Sequence, residues 1–150
     1  MSIVQKTIRA LTDGEHLSAE HSEEFFDAVF GGEASEIELA AVLAALRVRG
    51  ESSEEIAGAA KSMRKAAAKF NAGRTDHIDT CGTGGDHSQS FNVSSAAALV
   101  NSAAGIPVVK HGNRSVTSKC GSADFFEALG LSITLTGEDA DGYFARHGFV

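Results

Sequence analysis

The chain has 150 residues, is 43% hydrophobic and 22% charged, and carries a net charge of −7. This is enough apolar material for one ordinary domain, or for a small helical module joined to part of a larger one, and the acidic balance argues against a general nucleic-acid binder, which needs a positive field. No apolar run approaches the roughly 18 residues of a membrane span, Cys81 and Cys120 lack the spacing of a disulfide framework or a zinc site, and MSIVQKTIRA lacks the layout of a signal peptide, so the expectation is a soluble cytoplasmic protein with reduced thiols.

In chain order, the first seventy residues read as helices. Ile3, Val4, Ile8 and Leu11 recur at helical spacing before Gly14. Ser18 can cap a second helix reaching about Phe30, where two glycines end it. Ser35 with Glu38 makes a capping box, because the serine can accept from the third helical amide while the glutamate reaches back. Gly50 suits the end of that helix, and Ser52 with Glu55 repeats the box for a helix expected to run to about Phe70. These four helices form a bundle over residues 1–72, with the boundary in the run 71–74.

From residue 73 the period changes. HIDT at 77–80 reads as a short strand, followed by the glycine-rich CGTGGDHSQSFN at 81–92. Asn92 or Ser94 opens an alanine-rich helix that Gly105 closes. IPVV at 106–109 is a buried strand, and the loop KHGNRSVTSKCG follows it. Ser122 caps a helix over ADFFEAL, LSITL at 131–135 is a third strand, and Thr136 with Asp139 caps a last helix ending at Gly148. Phe149 and Val150 begin a fourth strand. Such alternation predicts parallel strands with helical crossovers. The fold class is therefore α/β, an N-terminal helical bundle followed by the first part of a parallel-sheet domain over 73–150. Three strands and a stub make an incomplete parallel sheet, which needs both faces covered, so the pattern predicts a chain that continues past Val150.

Both unusual loops leave strand ends and enter helix starts, so they should converge on the edge where open parallel sheets bind ligands. Bare glycines allow backbone amides to point together at an anion, and the helix start at 92–95 adds positive potential. Asp86 beside such a site can accept from sugar hydroxyls or act through Mg²⁺, which prefers oxygen ligands and substrate phosphates; it can equally be a turn-capping residue. The second loop supplies the cations. Residues 76–150 hold only Lys110, Arg114, Lys119 and Arg146 as bases. Lys110 can approach phosphate as a point charge and Arg114 can fork onto an oxyanion. His111 and Asn113 add neutral donors.

Together DTCGTGGD at 79–86, FNVSS at 91–95 and KHGNRSVTSKCGSADFFEALG at 110–130 resemble anthranilate phosphoribosyltransferase, and GEASEIELAAVLAALRVRGES at 32–52 is similar to that family's N-terminal helices. The resemblance covers essentially the whole chain. It implies transfer of phosphoribosyl from phosphoribosyl pyrophosphate (PRPP) to anthranilate in tryptophan biosynthesis, a nucleoside phosphorylase-like architecture, a homodimer through the helical part, and Mg²⁺ as cofactor. Carried over by residue, it implies PRPP contacts from Gly82, Gly85, Asp86, Ser90, Asn92, Val93, Ser94 and Ser95. Further PRPP contacts would come from Lys110, His111, Gly112, Asn113, Arg114, Ser115, Val116, Thr117 and Ser118, and from Ser122. Gly82, His111 and Asn113 would approach anthranilate, and Ser94 would take one Mg²⁺. Ser90 and Ser95 stand where the family often has Thr, which keeps the hydroxyl. An Arg for the anthranilate carboxylate and an Asp-Glu pair for a second Mg²⁺ would lie beyond residue 150. No nucleophilic residue is required. Alternatives are a pyrimidine nucleoside phosphorylase, which the KHGNR stretch disfavours, a nucleic-acid-binding relative, and an inactive interaction module.

Overall fold

The computed structural model describes residues 1–82, 91–114 and 120–150. The chain divides into two compact units, Met1–Ala67 and Ala68–Val150.

The first unit contains α1 (Ile3–Thr12), α2 (Ala19–Phe30), α3 (Glu36–Arg49) and α4 (Ser53–Ala66). Ser18, Ser35 and Ser52 each occupy an N-cap and accept from the amide three residues on, and Glu38 and Glu55 close the reciprocal boxes. Val4, Leu11, Leu17, Phe25, Ala28, Val42 and Leu46 form the core. α2 and α4 pack most closely, at Gly58. A Cβ there would meet the Ala19 carbonyl and lie 2.7 Å from Ser22 Cβ and 2.8 Å from Glu23 N. The seam also holds polar bonds: Ser22 Oγ donates to the Glu55 carbonyl (2.7 Å) and Ser62 Oγ to Asp27 Oδ1 (2.6 Å). α4 ends at Ala66 rather than near Phe70. Phe70 instead packs edge-on against Phe144 within the second unit, with ring centroids 5.7 Å apart, and that contact outweighs the helix propensity of the alanine- and lysine-rich run.

The second unit contains α5 (Val93–Ala103), α6 (Ser122–Ala128) and α7 (Gly137–His147). Its extended segments pair in parallel, Ile78 with Val108 and Val108 with Phe149, so the Val108 segment lies in the middle. Ile78 N donates to Pro107 O (2.9 Å), Val108 N to Gly148 O (2.8 Å) and Lys110 N to Val150 O (2.7 Å). The stub at 149–150 is thus a true pairing partner. The expected third strand at 131–135 makes no bridge among the described residues. A bend at Ile133 interrupts it. Leu131 and Ile133 still pack on the core of Ala98, Val108 and Phe126, so their apolar pattern reports burial and not ladder pairing. Ser122 is also corrected: it is the first residue of α6, and Gly121 is the N-cap, its amide held by Asp124 Oδ2 at 2.9 Å. Neither Asn92 nor Thr136 caps its helix with its side chain.

Candidate ligand site at the loop roots

The two loops leave neighbouring parallel segments, one after Ile78 and one after Val108, and their roots meet. Asp79 joins them. Its Oδ1 accepts the Cys81 amide at 2.9 Å and lies 3.6 Å from Lys110 Nζ. Burial alone would raise the Asp79 pKa. Hydrogen bonds from the Cys81 thiol and amide, the Lys110 charge and the His111 amide outweigh it and hold the carboxyl below its ordinary value. The same contact raises the Cys81 thiol, first through its hydrogen bond to Asp79 and then through burial and the Asp79 charge. The Lys110 side chain is only 4% exposed, and its ammonium also donates to the His111 carbonyl. Lys110 is therefore a cation already paired within the loop roots, not a free charge extended into solvent.

Two latches set the helix starts against these loops. Thr80 Oγ1 donates to the Ser94 carbonyl at 2.7 Å, fixing the first segment to α5. Asn92 Nδ2 donates to the Gly121 carbonyl at 3.1 Å, fixing α5 to α6. The second loop is clamped in turn. Asn113 N donates to Ser122 Oγ and Ala123 N to Asn113 O, both at 3.1 Å. Gly112 allows this close approach, because a Cβ there would lie 2.5 Å from Ser122 Oγ. Arg114 forks onto Glu127 (2.9 and 3.2 Å) and reaches Asp124 (3.0 Å), and these acids raise its pKa. Ser95 is fully buried in the first turn of α5, and its hydroxyl has no hydrogen-bond partner among the described residues.

Of the residues expected at the site, Gly82, Asn92, Val93, Ser94, Ser95, Lys110, His111, Gly112, Asn113, Arg114 and Ser122 lie on these loop roots and helix starts. Gly85, Asp86, Ser90, Ser115, Val116, Thr117 and Ser118 lie outside the described residues. Asp79 and Thr80, which organise the junction, received no role from the sequence, although they open the DTCGTGGD run. A carboxylate three residues before the first glycine of that run was the available signal.

A helical bundle followed by an α/β unit, whose loops join at the carboxyl edge of parallel segments, defines the class of two-unit proteins in which ligands bind at that edge. The chain matches the helical bundle domain of a glycosyl transferase family over residues 5–67 and the a/b domain of that family over residues 74–150. It belongs to that glycosyl transferase family. It is 49% identical over 147 residues to an anthranilate phosphoribosyltransferase of Pseudoalteromonas translucida, covering 98% of this chain and 41% of the relative. The anthranilate phosphoribosyltransferase structure from Thermus thermophilus superposes with a TM-score of 0.82 at 41% identity, over 99% of this chain and 44% of that one. A Saccharomyces cerevisiae anthranilate phosphoribosyltransferase solved with PRPP and Mg shares the fold, with a TM-score of 0.74 at 23% identity, over 98% and 45%. The chain thus spans about two fifths of the length of these relatives. Among the described residues no helix is long and apolar enough to cross a membrane.

Proposed function

We propose that this chain supplies the PRPP-binding part of an anthranilate phosphoribosyltransferase, acting in the cytoplasm in tryptophan biosynthesis. The observation that carries this reading is the Asp79–Lys110 junction, which draws two sequence-distant loops to one edge of the sheet. In this reading Gly82, Gly85, Asp86 and Ser90, with Asn92, Val93, Ser94 and Ser95, hold the phosphoribosyl group. Residues 110–118 and Ser122 cover the phosphates. Gly82, His111 and Asn113 face anthranilate.

The reaction breaks the bond from the anomeric carbon to pyrophosphate and forms a bond to the anthranilate nitrogen, whose proton is then lost. The state between is oxocarbenium-like, so the residues act by neutralising the leaving group and aligning the amine. The oxygen donors at the start of α5 fit Mg²⁺, and Ser94 would hold it; when bound, the ion offsets diphosphate charge. Self-association through the helical unit is supported by an apolar stripe on α3, where Ile37, Ala41, Ala44 and Val48 are exposed at helical spacing.

Titration calorimetry with PRPP and Mg²⁺ tests the reading. Binding is expected to be weak, and turnover of anthranilate far below that of a full-length relative, because the chain spans two fifths of such proteins. Lys110→Ala and Asp86→Ala should each weaken PRPP binding more than Lys119→Ala. Equal losses in all three variants would refute the placement of the cradle.

A further inference from the structure

We propose that Asp79, Cys81 and His111 form a site for a zinc-class divalent transition ion at the roots of the two loops. Their ligand atoms, one carboxylate oxygen, one thiol sulfur and one imidazole nitrogen, all lie within 4.8 Å of one another. Cysteine spacing alone gave no hint of this, because the site draws on only one cysteine, and its histidine lies thirty residues further along.

The geometry is close to what zinc needs. Bonds of about 2.0 Å to oxygen and nitrogen and 2.3 Å to sulfur put tetrahedral ligand atoms roughly 3.5 Å apart. A movement of about 1 Å therefore closes the cluster, and all three residues are exposed, so it costs little packing. Asp79 is already oriented by the Cys81 and His111 amides, the kind of supporting contact that fixes a metal ligand. The thiolate and carboxylate together balance the charge of a divalent ion, and the Cys81 proton leaves to solvent as sulfur binds. A thiolate–imidazole pair selects zinc-like ions over Mg²⁺, which takes oxygen donors. With three protein ligands the fourth position is open to water. Lys110 opposes the ion from beside Asp79, so binding draws the carboxylate away from its ammonium.

The probe is Co²⁺, followed by Zn²⁺, added to the purified chain. The expected result is a sulfur-to-cobalt charge-transfer band at one ion per chain, displaced by Zn²⁺ and unaffected by excess Mg²⁺. Cys81→Ser should abolish the band, His111→Ala should weaken binding by at least about tenfold, and Cys120→Ser should leave both unchanged. Zn²⁺ should also slow maleimide labelling of Cys81 and not of Cys120. Absence of the band, or a band that survives Cys81→Ser, overturns the proposal. The two ligand variants lie on different loops, so either one decides the matter should the other fail to fold.

Discussion

Glu55 offers the sharpest test of how the helical unit is held together. Its side chain is 2% exposed, yet it is ionised. Oε1 accepts the Leu17 amide at 2.8 Å and a guanidinium nitrogen of Arg49, Oε2 accepts the Ser52 amide at 2.7 Å, and His16 Nδ1 lies 3.5 Å away. Burial alone would raise its pKa; the hydrogen bonds from Leu17, Ser52 and Arg49 prevail and lower it from 4.5 to about 2. A carboxyl with a folded value this far below its unfolded value contributes roughly 3 kcal/mol, fully present above pH 4.5 and lost as pH falls towards 2. Glu55→Gln keeps the shape but turns an NH₂ towards a donor, and should remove about that amount. Hydrogen–deuterium exchange of α2 and α4 reads this unit alone. At pH 7 the variant should exchange about 10²-fold faster than the parent. At pH 3 the parent has itself lost about 2 kcal/mol, so the ratio should shrink to roughly fivefold. A variant within twofold of the parent at pH 7, or a ratio unchanged at pH 3, would refute the reasoning.

Gly58→Ala places a methyl against backbone atoms of α2, which cannot swing aside as a side chain would; about 2–3 kcal/mol should be lost in urea unfolding followed by helical circular dichroism. Gly112→Ala pushes on Ser122 Oγ and breaks the clamp that Ser122 makes with the Asn113 amide. Its helix content should stay at the parent level while PRPP binding weakens in calorimetry.

What could be read without coordinates was local. The boxes at Ser35 and Ser52 lie within a single helical turn, and four residues of sequence specify each. That Glu55 would also gather Leu17 and Arg49 depends on where α1's following loop and the end of α3 arrive, which no window around position 55 records. LSITL failed for another reason. Its apolar residues predict burial correctly, but joining a ladder needs an extended run, and a bend at Ile133 breaks this one. Ser122 shows the competition inside a single motif, since a hydroxyl that could have capped α6 accepts from the second loop instead.

The site follows the same division. Convergence of the loops was legible, because parallel segments joined by helices send their following loops to one edge whatever the side chains are. The charge state of that edge was not. Lys110 reads as a cation at a strand end, but an ammonium this buried requires a counter-ion, and Asp79 supplies it from the other loop. The pair carries no net charge. Under the proposed function, attraction of a diphosphate then rests on the α5 start, while Lys110 keeps Asp79 from repelling it. Losing Lys110 would therefore harm an anion twice, by removing a cation and by unmasking a carboxylate.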